Sequence, residues 1–230
     1  MVVDEGQYPI ELHRDDTMIF RDRKDAGEKL ARELEKYIDE DVLVLAIPRG
    51  GVEVGCKVAE HLHAPFSLVV TRKLPFPDNP EAGFGAIAED GSAFVLKDAA
   101  KWLPQEQIDR IVKDQSEEIL RRIQVLREGR PLPDMAGRTV ILVDDGLAMG
   151  STMRASIMLC KKTGAGKIVV AVPVAGREVA EDISKMADEL VVLEIPVHFM
   201  AVAQVYINWY DVSDAEVLEI LEKGCNTNKR

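Results

Sequence analysis

Cysteine is scarce in this 230-residue chain. Its three residues, Cys56, Cys160 and Cys225, lie far apart and show no CxxC spacing. An odd, scattered set offers neither a disulfide framework nor a thiolate metal site, and it suits a reducing cytoplasm. Cys56 and Cys160 fall in helical patterns and read as small core residues. Positive charge is outnumbered, with 29 Lys and Arg against 40 Asp and Glu, a net charge of −11. That balance disfavours non-specific binding to nucleic acid or an anionic membrane, so neither is an expected partner. No run approaches the ~18 apolar residues of a membrane span. The opening "MVVDEGQYPIELHRDD" is too acidic and too poor in apolar residues for a secretory signal. Walker A and GxSxG motifs are absent. "GFGAIA" (83–88) imitates a dinucleotide fingerprint but follows a Pro-rich stretch instead of a strand. His61-x-His63 sits at a helix end without a recognisable metal-ligand set and reads as structural or surface, not as a metal site. The expectation is a soluble cytoplasmic protein.

Short runs of Val, Ile and Leu do recur: 42–47, 66–70, 139–143, 167–174 and 190–195. They lack polar alternation, as do strands buried on both faces of a parallel sheet. Helical patterns fill the intervals at about 23–38, 51–62, 150–163 and 177–187. This order predicts an α/β fold with a doubly wound, mainly parallel sheet. Two segments interrupt it. Residues 72–98 read as a Pro-rich loop followed by a hairpin turning at Asp90-Gly91. Residues 104–128 carry apolar side chains at helical spacing, predicting one long amphipathic helix. The organisation expected is a single domain over 1–224. Its core is about 20–195, an inserted hairpin and long helix occupy 72–130, and a C-terminal hood or lid covers 196–224. A frayed tail at 225–230 follows.

The chemistry concentrates in "VILVDDGLAMGST" (140–152). Ligands of parallel sheets bind beyond the carboxyl ends of strands, where Asp144 and Asp145 stand. Gly146 and Gly150 let the backbone turn sharply and approach a ligand. Ser151 and Thr152 open a helix whose N-terminal N–H groups favour an anion. Carboxylates for a diol or hydrated cation, beside a phosphate cradle, suit a sugar phosphate. Acidic residues after a strand often serve only as turn residues or caps, but the whole string goes beyond that role.

This stretch resembles the phosphoribosyl-diphosphate (PRPP) binding motif of the type I phosphoribosyltransferases. The resemblance implies that fold, and it implies that Asp144 and Asp145 bind the ribose hydroxyls and assist Mg²⁺. Gly146, Ala148, Met149, Gly150, Ser151 and Thr152 would hold the 5-phosphate and the rest of PRPP. "LAIPRGGVEVG" (45–55) resembles the pyrophosphate loop of the family, which assigns Arg49, Gly50 and Gly51 to pyrophosphate and expects a non-proline cis peptide at Pro48–Arg49. "TRKLPFPDNPEAGFGAIAED" (71–90) matches the mobile catalytic loop, with Arg72 and Lys73 neutralising the leaving group. "FRDRKDAGEKLA" (20–31) and "AVAQVYINWYDVSDAEV" (201–217) extend the likeness, over nearly the whole chain, to a bacterial and archaeal subfamily of unsettled acceptor.

The pattern departs from the family in two places. Met149 stands where Thr is usual, removing one hydroxyl contact. Ala148 stands where purine enzymes carry an acid, leaving no loop base. The run Ile195-Pro196-x-x-Phe199-Met200 is similar to a base-stacking segment and makes Phe199 and Met200 the base-binding candidates; Phe199, Tyr206 and Trp209 could equally plug the lid onto the sheet. The resemblance thus implies Mg²⁺-dependent transfer of ribose 5-phosphate from PRPP to a nitrogen acceptor, foremost a nucleobase, by a homo-oligomer, expected as a dimer. The alternative is a PRPP-binding regulatory protein without transferase activity.

Overall fold

Five of the apolar runs meet as one parallel sheet. The computed structural model describes residues 19–223 and 225. Numbered along the chain, β1 (Val42–Ala46), β2 (Phe66–Leu68), β6 (Thr139–Val143), β7 (Lys167–Val174) and β8 (Glu189–Glu194) lie in the order β2-β1-β6-β7-β8. Both faces are buried, which is why the strands lack polar alternation. Within β1, Val42, Val44 and Ala46 join one apolar cluster while Leu43 and Leu45 join the other. Helices α1 (Arg23–Glu33), α2 (Gly51–Leu62), α5 (Ser151–Lys162) and α6 (Arg177–Ser184) cover the faces. The run expected as one helix over 23–38 ends at Glu33 and passes into a 3₁₀ turn at Glu35–Tyr37. His61 Nε2 lies 3.2 Å from Glu35 Oε1 on that turn.

The insertion differs from its sequence reading. Residues 71–76 and 79–88 pair as β3 (Thr71–Phe76) and β4 (Asn79–Ala88), and β5 (Ala93–Val95) adds a third antiparallel strand. The expected loop before residue 84 is therefore a strand pair. Pro75 is tolerated because β3 is an edge strand and its register shifts on either side of that residue. The predicted turn at Asp90-Gly91 is present, with Gly91 at φ 82°. Beyond a short helix, α3 (Lys97–Ala100), comes the long helix α4 (Gln105–Arg127) at the expected position. Glu89 and Arg127 fasten this unit to the core: Glu89 accepts from the Val70 N–H at 2.9 Å, and Arg127 pairs with Glu89 and donates to the Leu68 carbonyl at 2.9 Å.

The chain closes with a 3₁₀ turn at Val202–Val205 and helix α7 (Asp214–Lys223), which packs on α2. There the cysteine reading is corrected. Cys56 of α2 is joined to Cys225 by a disulfide with Cα atoms 5.5 Å apart, while Cys160 is free and buried. A return of the chain across 169 positions leaves no trace in local spacing. The opening segment read against a signal peptide and the tail at 226–230 lie outside the described residues. No helix among the described residues is long and apolar enough to cross a membrane.

Candidate active site

Strand β6 leaves the core at Val143, and the next two residues are the acid pair. Asp144 turns its carboxylate back to accept from the Asp145 N–H at 2.9 Å. Asp145, beside it, places its Oδ2 2.8 Å from Nε of Arg23, a residue only 3% exposed. The loop then returns to the sheet. Leu147 N–H donates to the Val174 carbonyl at 2.9 Å, and Gly150 takes the left-handed conformation (φ 66°) that starts α5. Arg154 braces the loop from within α5, donating to the Met149 carbonyl at 2.6 Å and pairing with Asp182 at 3.1 Å.

Desolvation raises the Asp144 carboxyl well above its ordinary range, and the neighbouring Asp145 charge acts in the same direction. Desolvation raises Asp145 too, opposed by the Arg23 guanidinium. Two adjacent carboxyls, only one of them paired with arginine, make each other's charge costly, a cost that a bound cation or hydroxyl donors would offset.

Gly50 and Gly51 sit directly against the pair. A Cβ on Gly50 would fall 1.8 Å from Asp145 Oδ2, and one on Gly51 2.8 Å from the Asp144 Cα. Gly50 has φ −60°, so space and not torsion demands glycine there. Gly50→Ala must push Asp145 off Arg23 or shift the loop. The expected cost is about 1–3 kcal/mol of stability, read from chemical unfolding. An unchanged midpoint would show that the two loops separate freely. The Pro48–Arg49 peptide is cis, at the expected bond. Arg49 reaches Asp214 of α7 at 3.7 Å, and the same carboxylate takes Arg121 of α4 at 3.0 Å.

Arg72 and Lys73 part company, as consecutive strand residues must. Arg72 turns to α4 and donates to Gln115 Oε1 at 3.1 Å; desolvation and Arg122 lower its pKa. Lys73 faces a cavity of about 260 Å³ that it lines with Gly83, residues 146–152 and Val202. Ala148, Met149, Gly150, Ser151 and Thr152 thus share one cavity with Lys73, and the acid pair adjoins it at Gly146. Lys73→Met is expected to weaken binding of inorganic pyrophosphate or ribose 5-phosphate about tenfold by calorimetry, near the lower value of a charged hydrogen bond. Arg72→Met should cost less, and the opposite ranking would reverse the assignment.

Phe199 and Met200 are not brought to this cavity. Phe199 packs over Gly176, where a Cβ would meet its ring at 3.1 Å, and Met200 is 91% exposed. Val202 takes the place over the loop, with its methyls 2.6 and 2.8 Å from a Cβ built on Gly146. Tyr206 and Trp209 do not line the cavity and pack on Phe20 and Arg23. The sequence reading missed Arg23, Arg154, Val202 and Asp214. Only "FRDR" hinted at Arg23, and its partner stands 122 positions away.

A family model described as the phosphoribosyl transferase domain matches residues 20–208. Two Mycobacterium tuberculosis proteins, from strains CDC 1551 / Oshkosh and ATCC 25618 / H37Rv, carry provisional names as phosphoribosyl transferases. Each is 39% identical over 208 residues, covering 90% of this chain and 47% of its own length. The chain thus spans about half the length of the curated relatives it matches. Among solved structures, a protein from Thermus thermophilus, TT1426, is 38% identical with a TM-score of 0.75, covering 89% of this chain and 98% of its own.

Proposed function

The chain belongs to the phosphoribosyl transferase domain family, and from that membership we propose Mg²⁺-dependent transfer of ribose 5-phosphate from PRPP to a nitrogen acceptor, foremost a nucleobase, with release of pyrophosphate. The observation that carries this reading is the meeting of three elements. Loop 146–152 and Lys73 share a cavity, the acid pair adjoins it, and Gly50-Gly51 lies against the acids. A 5-phosphate on the N–H groups opening α5 sets the ribose toward the acid pair. Lys73 and Arg49 stabilise the leaving pyrophosphate, and the fixed arrangement lowers the barrier by positioning and electrostatics.

The donor set fits Mg²⁺. The acid pair at Asp144 and Asp145 offers hard carboxylate oxygen, the donor type that Mg²⁺ takes. Such a cation would be held through one or two carboxylates together with substrate phosphates. Bound there, it would supply charge neutralisation to the pyrophosphate. In the transfer, a bond forms between the acceptor nitrogen and ribose C1 while the C1–O bond to pyrophosphate breaks, its electron pair leaving with oxygen. The acceptor proton passes to pyrophosphate or water, since Ala148 offers no base.

The test is pyrophosphate release from PRPP and Mg²⁺ across a panel of nucleobases. Base-dependent release supports transfer. Binding of PRPP without release for any base favours the regulatory reading, and no binding of PRPP overturns both.

A further inference from the structure

The segment before α1 is stitched to the C-terminal strap. Phe20 N–H donates to the Val205 carbonyl at 2.7 Å, Ile207 N–H to Phe20 at 2.8 Å, and Asn208 N–H to Arg21 at 2.9 Å. The rings of Phe20 and Tyr206 lie 5.5 Å apart. This stitching sets Trp209 with its ring 4.0 Å from the Arg23 guanidinium and leaves Arg23 Nη1 to donate to the Tyr210 carbonyl at 2.9 Å. The remaining edge of the guanidinium meets Asp145 at 2.8 Å. The Tyr206 hydroxyl donates to the backbone carbonyl of that same aspartate at 2.7 Å. A buried arginine persists only where its charge and donors are met, and here aspartate, carbonyl and indole face meet them.

We infer that Arg23 is a positioning residue that assigns the two acids different work, holding Asp145 in the scaffold and leaving Asp144 as the carboxylate that meets the ribose or its cation. This rests on the reading of 144–152 as the PRPP site. Geometry supports the division. Asp145 Oδ2 is occupied by Arg23 and fills the space beside Gly50 that a Cβ would need. Asp144 makes its bond inside the turn, to the adjacent N–H, which leaves its second oxygen outside that bond. Arg23 also offsets the charge of one of two adjacent carboxylates. The aromatic C-terminal strap, remote in sequence, acts through Arg23 on the acid pair.

Calorimetry of PRPP with Mg²⁺ on R23M, R23K, D145N, D144N and R23M/D145N tests this, beside ligand-free unfolding of the same proteins. R23M should lose about tenfold or more in affinity, R23K should retain part of it, and R23M/D145N should bind better than R23M alone. D145N should bind closer to wild type than D144N does. If folded R23M binds PRPP as wild type does, or if D145N matches the loss of D144N, the inference is overturned. Failure of wild type to bind PRPP would instead sink the proposed function. The hold of Arg23 on Asp145 is then judged by the unfolding cycle, where coupling of tenfold or more in the unfolding constant supports it and additivity overturns it. If R23M does not fold, R23K and D145N decide by the same comparisons.

Discussion

Asp144→Asn is expected to weaken binding of PRPP in the presence of Mg²⁺ by about 100-fold or more without lowering stability. A hydrogen bond to a charged group contributes about 1.5–3 kcal/mol, so losing two, or one with a cation contact, removes roughly 3 kcal/mol or more. Stability should hold or rise. Desolvation and the adjacent Asp145 already disfavour the Asp144 charge, and an amide removes that burden while still accepting from the Asp145 N–H. Calorimetry and thermal unfolding on one preparation separate the effects. Lost affinity with an unchanged or higher midpoint fits a ligand-facing carboxylate. Unchanged affinity would remove Asp144 from the site.

The second large effect is on stability. Arg127→Met leaves Glu89 buried without its cation, in a place where the Glu89 and Arg127 side chains are only 8% and 6% exposed. Breaking one partner from a buried pair costs about 3–5 kcal/mol. For a chain of this size that corresponds to roughly 10 °C in the unfolding midpoint. Arg127→Met/Glu89→Gln should recover much of the loss. The pH dependence follows in sign. Burial raises the Glu89 carboxyl even with Arg127 present, and the variant removes the opposing charge. A folded pKa above the unfolded one gives stability present below the unfolded value and lost as pH rises through the folded value. The deficit of Arg127→Met should therefore shrink as pH falls through the raised folded values of Glu89, above the ordinary glutamate range, and be smallest once Glu89 is protonated in both folded proteins. A deficit constant with pH would mean that Glu89 is not the group left exposed to the apolar interior.

The parallel strands and the loop after β6 were legible because local pattern decides them. A strand buried on both faces must be apolar at every position, and the turn from loop into helix favours glycine where Gly150 takes φ 66°. The strand β3 was hidden by Pro75 and Pro77, which read as breakers although an edge strand with shifted register accepts Pro75. The separation of Arg72 from Lys73 was implicit in strand alternation, but only once β3 was known to be a strand. Arg23 escaped because its partners, Asp145 and Tyr210, stand 122 and 187 positions away. The aromatic run at 199–210 was legible as functional or structural without a choice between them. The choice depends on Tyr206 and Trp209 turning toward Phe20 and Arg23, a tertiary matter. Gly50 was read as a pyrophosphate-loop glycine, and a separate demand for glycine was hidden, since the atom that excludes a side chain there belongs to Asp145.

The insertion between β2 and β6 also sets the order in which the molecule can assemble. In the sheet, β1 pairs with β6 from Val42 opposite Thr139 to Ala46 opposite Val143, 139 − 42 = 97 positions apart. The neighbouring seam between β6 and β7 joins Thr139 to Lys167, 167 − 139 = 28 positions apart. Non-local parallel pairing slows folding. At synthesis rates of about 5–20 residues per second, β1 waits roughly 5–20 s for its central partner. Until β6 emerges, one edge of β1 presents unpaired N–H and C=O groups on an apolar strand, the kind of edge that recruits other chains. Gly50 and Gly51 likewise meet Asp144 and Asp145 only when that seam closes. A nascent chain stalled within the insertion would carry a sticky half-sheet and no acid pair, so early protection by a chaperone should raise the soluble yield of this protein more than it helps chains whose central strands are neighbours in sequence.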